Sequence, residues 1–192
     1  MGLLDFITKL FFNDISIPKY PYFSLYNKDG YVKVKTEDFR YIIPSEMEIN
    51  GKTEKTHDIF FGLLYVKSTY IYVEKWFYEA VVKIEEDRKK LWALQNKTAE
   101  LNNIGTKYEK EGNIEKAIET YEKNVSLGYT ATHSYDRLCI IYRKQKDYEN
   151  EIRIINLFLT NFPNTKTFEK SIEKYKTRLS KATELLTKSY KQ

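Results

Sequence analysis

Side chains that commonly carry catalysis or bind metals are few in this 192-residue chain, and they are scattered along it. Two histidines, His57 and His133, lie far apart, and neither has a cysteine, histidine or carboxylate at the spacing of a metal site. The single cysteine, Cys139, has no partner for an internal disulfide, and we expect it to be a packed thiol. No glycine-rich phosphate loop is present. We therefore predict that the protein is not an enzyme and holds no metal or cofactor.

Two charged segments of the chain bear on its function. The acidic run 85–87 precedes the basic run 88–90, which on a helix forms i,i+3 and i,i+4 ion pairs and not a catalytic carboxylate pair. The net charge of +5 arises in residues 166–192, where eight Lys or Arg face three Glu. The basic residues of this tail that favour an alternative function, a nucleic-acid-binding adaptor, are Lys166, Lys170, Lys174, Arg178 and Lys181.

The composition predicts a mainly helical globular protein. Apolar residues make up 42% and charged residues 31%, which excludes both a disordered chain and a membrane bundle. Gly and Pro are rare, 7 and 4 residues, so long uninterrupted helices should dominate. The strongest apolar stretch, residues 60–66, is too short to span a bilayer, and the first residues lack the features of a signal peptide. We expect a cytoplasmic protein without a membrane partner.

Residues 1–75 contain most of the prolines and are predicted to form a small α+β part. The predicted elements are an amphipathic helix at 3–12, a β-hairpin of residues 22–26 and 31–35, and one or two edge strands at 40–43 and 47–49. We expect the helix to cover the core, with contact to a membrane surface as the alternative.

From Gly62 to Gly105 the chain lacks internal glycine and proline, and its apolar residues fit one long helix or two helices. Residues 64–73 favour a helix but also alternate in the manner of a strand. We assign residues 76–97 to a connecting helix.

A spacing of 34 residues gives the clearest internal similarity. The matching pairs are Leu101 with Tyr135, Ile104 with Leu138, Gly105 with Cys139, Tyr108 with Tyr142, and Tyr121 with Ile155. This period and these residue types resemble the tetratricopeptide repeat family, with Ala117 and Pro163 also at family positions. The resemblance covers residues 98–165 and implies two antiparallel helical hairpins, a short α-solenoid.

Three positions depart from the family pattern, namely Asn124, Tyr129 and Glu151. Two repeats need flanking elements to cover their open sides. Residues 166–192 are predicted to be a basic capping helix whose apolar stripe is Phe168, Ile172, Tyr175, Leu179, Ala182 and Leu186. The same stripe fits a coiled coil, so a homodimer stays an open alternative.

The resemblance implies a protein-interaction module or adaptor that binds a partner protein or peptide along the concave side of the repeats. The family's inward-facing positions correspond to Asn102, Thr106, Glu109, Lys110, His133, Asp136, Ile140, Arg143 and Lys144. Only Asn102 matches the family's clamp for a terminal carboxylate, so chaperone-tail recognition is not predicted. The aromatic-rich N-terminal part is a second candidate binding surface.

Overall fold

The computed structural model describes residues 22–64 and 66–191, and the chain divides into two compact units between Lys90 and Leu91. The elements of the first unit are β1 (Phe23–Ser24), β2 (Tyr31–Lys35), α1 (Thr36–Ile42), β3 (Glu46–Ile49), β4 (Lys52–Lys55), α2 (His57–Leu64) and β5 (Tyr70–Glu74). Helix α3 (Lys75–Lys110) begins in the first unit and ends in the second. The second unit continues with α4 (Ile114–Ser126), α5 (Thr132–Gln145), α6 (Tyr148–Asn161) and α7 (Glu169–Ser189).

These elements confirm a mainly helical chain with a small antiparallel sheet near its N-terminus. The helix predicted for residues 3–12 lies outside the described residues. Every helix of the described ranges is too short or too polar to cross a bilayer.

The pairing predicted for the hairpin of residues 22–26 and 31–35 is wrong. Strands β1 and β2 both pair antiparallel with β5, which lies between them. Strand β5 takes the centre because its Ile71 and Val73 are almost completely buried, whereas β2 exposes Lys33 and Lys35, as edge strands commonly do. The strand interpretation of residues 64–73 is therefore correct from Tyr70 onward, and the helical one is wrong there.

The edge strand predicted for residues 40–43 is also wrong, because most of that segment belongs to α1. Glu37 and Asp38 lie in the first turn of α1, where carboxylates interact favourably with the helix dipole. The helix ends at Ile42, and Ile43 is extended, the backbone conformation that the following Pro44 favours. Phe39 places its side chain in the core of the unit.

The strand predicted at residues 47–49 is confirmed as β3, which pairs with β4. Asn50 and Gly51 connect them with positive φ angles of 52° and 73°, the geometry of a tight hairpin turn. Helix α3 contributes Phe77 and Val81 to the core of the first unit, where both are fully buried.

A single 36-residue helix, α3, includes both the predicted connecting helix at 76–97 and the first helix of the first predicted repeat. The helix has no break at residue 98, the predicted boundary. This continuity follows from the lack of proline between residues 75 and 110, and from one glycine, Gly105, being too little to end a well-packed helix.

In the second unit the same turn occurs twice, 34 residues apart. Gly112 and Lys146 adopt left-handed conformations, with φ of 75° and 61°. The next residues, Asn113 and Asp147, cap α4 and α6, and each side chain accepts the backbone N–H three residues further on, at 3.3 and 3.1 Å. The paired helices α3–α4 and α5–α6 are thus joined by equivalent turns.

Helices α4 to α7 pack consecutively around one hydrophobic cluster. The predicted C-terminal helix forms α7, whose Ile172, Tyr175 and Ala182 are buried against this cluster. The Tyr175 ring stacks on Phe158 of α6 with 3.6 Å between centroids. The middle of the stripe that would form a coiled coil is therefore covered within the chain.

Candidate functional site

The residues predicted to line the partner-binding surface lie on α3 and α5, and three of the cations predicted for the nucleic-acid alternative, Lys170, Lys174 and Arg178, lie on α7. Spacings of three and four place these residues on one side of each helix. We call the following set the polar face: Asn102, Thr106, Glu109, Lys110, His133, Asp136, Arg137, Ile140, Arg143, Lys144, Lys170, Lys174 and Arg178. Hydrogen bonds between these helices determine which of the side chains are free for a partner.

Asn102 of α3 is bonded to both neighbouring helices. Its Oδ1 accepts a hydrogen bond from Ser134 Oγ of α5 at 2.6 Å and from Asn124 Nδ2 of α4 at 2.8 Å. Asn124 also lies 3.0 Å from the carbonyl oxygen of Thr98. Asn124 is only 3% exposed, and these bonds offset the cost of burying its Nδ2 group, whereas its buried Oδ1 has no partner among the described residues. This departure from the family pattern thus joins three helices.

Thr106 and Tyr121 link the C-terminal part of α3 to α4 and α5. Thr106 Oγ1 lies 3.3 Å from Tyr121 Oη and 3.3 Å from His133 Nε2. The Tyr121 hydroxyl donates to Glu109 Oε2 at 2.9 Å, and the ring makes an edge contact with the imidazole of His133. His133 is therefore part of an interhelical network within its own chain.

Glu109 and Arg137 form a two-pronged ion pair between α3 and α5. Arg137 Nε and Nη2 donate to the two carboxylate oxygens at 2.8 and 2.7 Å. The hydrogen bonds from Arg137 hold the pKa of Glu109 below its usual range, and the same bonds raise the pKa of Arg137. Sequence analysis did not identify Arg137, which lies one residue beyond the predicted Asp136.

Asp136 joins α5 to α7. Its Oδ1 accepts from Lys174 Nζ at 2.7 Å and from the Tyr175 hydroxyl at 3.0 Å. Burial raises the pKa of Tyr175, and the neighbouring Asp136 raises it further. The tyrosine therefore stays protonated as the donor to this carboxylate.

Glu151 on α6 is fully buried and bonded by two arginines. Arg143 of α5 bonds to Oε2, and Arg178 Nε of α7 donates to Oε1 at 2.9 Å. The residue 34 positions earlier is Ala117, which is equally buried and needs no partner. Two guanidinium groups offset the cost of burying a carboxylate at this small-residue position. Three helices are coupled through one side chain.

Cys139 is a buried thiol, and the acidic run forms ion pairs on its own helix. Cys139 is completely buried, and burial raises the pKa of its thiol to about 12, so no reactive thiolate forms near neutral pH. Glu85 pairs with Arg88 at 2.6 Å and Asp87 with Lys90 at 3.4 Å, as predicted for the acidic run. Within residues 22–64 and 66–191, no three His, Cys, Asp or Glu side chains come together as a metal site.

The network uses six of the nine predicted partner-binding residues for contacts between helices. Lys110, Ile140 and Lys144 remain, and their side chains make no hydrogen bond or ion pair within the described part of the chain. Ile140 is half-buried and packs outside the hydrophobic cluster of this unit. These three side chains are free to contact another molecule.

The basic tail is less available than its composition predicts. Of the five cations predicted for nucleic-acid binding, Lys174, Arg178 and Lys181 pair with Asp136, Glu151 and Glu184 respectively. Lys166 and Lys170 are exposed and have no ion pair in the described residues. The geometry therefore does not favour a continuous stripe of phosphate-binding cations along α7.

Sequence analysis missed the partners of the predicted residues: Ser134, Arg137 and Tyr175. Two of the three departures from the family pattern, Asn124 and Glu151, were the available signal, since a polar residue at a buried position requires a partner. Comparison of the chain with protein-family models, curated proteins and solved structures finds no match in any of the three. Geometry and charge are therefore the basis for assigning a function to the polar face.

Proposed function

We propose that residues 98–165 form two tetratricopeptide-like helical hairpins, capped by α7, and that the polar face binds a partner protein or peptide without catalysis. The observation that carries this proposal is the repeated turn. Gly112–Asn113 and Lys146–Asp147 have the same backbone geometry and the same capping bond, at the family's period of 34 residues.

The interhelical bonds support a common surface formed by the first helix of each hairpin, α3 and α5, together with α7. Side chains of α3 bond directly to α5, as in the Glu109–Arg137 pair, and side chains of α5 bond directly to α7, as in the Asp136–Lys174 pair. Helices α3, α5 and α7 are therefore neighbours, although α4 and α6 lie between them in the chain. Stacked helical hairpins bind their partners on such a row of first helices.

The internal network gives the proposed surface a fixed shape. Glu109, Asp136 and Glu151 hold the neighbouring cations in position before any partner binds. A preordered surface loses less side-chain entropy on binding than a mobile one. Between the ordered pairs, Ile140 supplies an apolar contact and Lys144, four residues further along α5, supplies a charge on the same side.

Selection of random 12-residue peptides displayed on phage, with the purified protein as bait, tests this function. The selected peptides are then measured against Ile140→Glu, which places a long charged side chain on the polar face. The matched control is Asn156→Glu, the same new side chain at an exposed position of α6 outside the polar face.

We expect Ile140→Glu to weaken binding of the selected peptides at least tenfold, while Asn156→Glu changes it less than twofold. Both variants should keep the helical circular dichroism of the parent, because neither position belongs to the hydrophobic cluster. Peptides that bind both variants equally well would place the binding surface elsewhere and refute the proposal.

A further inference from the structure

The polar face carries more positive than negative charge. It has seven Lys or Arg side chains and two carboxylates, and Glu151 of α6, which bonds to two of the cations, adds a third carboxylate. Four positive charges are therefore unbalanced. A row of cations without counter-charges attracts an anionic partner.

The carboxylates are also less exposed than the cations that they pair with. Glu109 is 15% exposed against 34% for Arg137, Asp136 is 26% exposed against 55% for Lys174, and Glu151 is not exposed at all. An approaching molecule therefore meets the basic partner of each pair first.

Three lysines add charge that no described acidic side chain neutralises. Lys110 on α3 and Lys144 on α5 occupy the same position of the 34-residue period, and Lys170 lies on α7. All three are exposed. Ile140 lies one turn before Lys144 on the same side of α5, which places an apolar contact beside the free charges.

We propose that the occupant of the polar face is an acidic protein segment, in which Asp or Glu side chains flank an aliphatic residue. This inference rests on the proposed function and specifies the partner's chemistry. The carboxylates pair with Lys110, Lys144 and Lys170, and the aliphatic side chain packs on Ile140. Recognition needs no free C-terminus, because the Asp and Glu side chains of the segment supply the carboxylates.

An acidic protein segment fits this face better than a nucleic acid. Proteins that bind single-stranded nucleic acid usually combine a run of cations with exposed aromatic rings on which bases stack. The aromatic residues that bond to the polar face, Tyr121 and Tyr175, are fully buried. Three free lysines are also fewer than the contacts that stable phosphate-backbone binding commonly uses.

Fluorescence anisotropy with two labelled peptides tests the inference on the full chain. One 12-residue peptide has two Ile residues flanked by Asp, Glu and Ser, with both ends blocked, and the other replaces every Asp and Glu by Asn and Gln. Binding is compared between the parent, the triple variant K110Q/K144Q/K170Q and the control K123Q/K176Q/K191Q, which removes the same charge from exposed, unpaired lysines outside the polar face.

We expect the acidic peptide to bind the parent at least tenfold more tightly than the amide peptide. The face variant should lose about tenfold in affinity for the acidic peptide, since each of the three exposed ion pairs contributes about a factor of two. The control variant should lose less than twofold. The difference between peptides should shrink as salt is raised, because exposed charges are screened.

Several results would overturn the inference. Equal binding of both peptides, still abolished by Ile140→Glu, would refute charge recognition and leave the proposed function standing. Equal losses in the two triple variants would attribute binding to net charge instead of to the polar face. Tighter binding of a 20-nucleotide single-stranded RNA, lost in the face variant, would identify a nucleic-acid site. Failure of the acidic peptide, when phage selection gives peptides sensitive to Ile140→Glu, refutes this inference, whereas absence of any such peptide refutes the proposed function.

Discussion

Replacing Gly105 by alanine tests the packing between α3 and α4. A Cβ atom at Gly105 would lie 2.4 Å from Tyr121 Cε1 and 2.7 Å from Cδ1 and Cζ, whereas carbon atoms in contact are separated by about 3.5–4.0 Å. The ring would have to move by about 1 Å. It is fully buried, and its hydroxyl donates to Glu109, so it has no free space to enter without losing that bond.

Three contributions decide the size of the effect. Alanine is favoured over glycine inside a helix by about 1 kcal/mol. Overpacking of a core costs about 1–3 kcal/mol, and loss of a hydrogen bond to a charged group costs about 1.5–3 kcal/mol. The destabilising contributions exceed the propensity gain, so we expect Gly105→Ala to lower the free energy of unfolding by about 2–3 kcal/mol.

Urea denaturation followed by circular dichroism at 222 nm measures this change. Asn103→Ala is the control, because Asn103 is exposed on the same helix, and its effect should stay within about 0.5 kcal/mol. In a Tyr121→Leu background the cost of Gly105→Ala should fall by about 1 kcal/mol or more, because the clashing ring is gone. A Gly105→Ala protein as stable as the parent, or a cost that is unchanged in the Leu background, would refute the packing argument.

Four further predictions concern the second unit. Asn113→Ala and Asp147→Ala should each cost about 1 kcal/mol of unfolding free energy, and no loss would contradict the two capping bonds. Cys139 should resist a thiol reagent such as DTNB at mildly alkaline pH until guanidinium unfolds the chain; rapid labelling of the folded protein would contradict its burial. Because the pKa of Glu109 is lowered in the folded state, its stabilisation is present above its ordinary value of 4.5 and is lost as the pH falls below it. Glu109→Gln should therefore flatten the acid dependence of stability, and an unchanged slope would argue against the ion pair. Glu151→Ala should cost about 3–5 kcal/mol by leaving two arginines without their buried partner; a loss under about 1 kcal/mol would show the triad to be dispensable.

Residues adjacent to the two repeated turns explain where α4 and α6 begin. Gly112 supplies a left-handed conformation at little cost, and Asn113 and Asp147 are strong N-caps, so the start of α4 and α6 follows from adjacent residues. The apolar stripe of α7 could also be predicted, because a spacing of three and four residues indicates the buried side of a helix whatever element packs against it.

Pairings between distant residues could not be predicted in the same way. The sequence predicts a hairpin of residues 22–26 and 31–35, but β1 and β2 run in the same direction on either side of β5. The central position of β5 depends on the burial of Ile71 and Val73 against the core around Phe77, about forty residues beyond β2. A short segment such as 40–43 becomes a helix because of its acidic neighbours at 37 and 38, outside the segment itself.

The sequence predicted which side chains share a face of a helix, but it did not predict which of them bond to a neighbouring helix. Asn102, Glu109 and Asp136 do lie on the expected sides of their helices, but each is bonded within the chain. Periodicity places a side chain on a face, whereas the choice between a partner and a neighbouring helix depends on residues such as Arg137 and Tyr175 on the adjacent elements. The free residues Lys110, Ile140 and Lys144 were therefore not distinguishable from the paired ones by sequence.

An amide-resolved NMR titration of the protein with a phage-selected peptide tests the central claim most directly. Binding on the row of first helices predicts shift changes in residues 102–110, 133–144 and 170–178, with little change in α4 and α6. Shifts confined to α4, α6 or the first unit would contradict the assignment of the polar face as the binding surface.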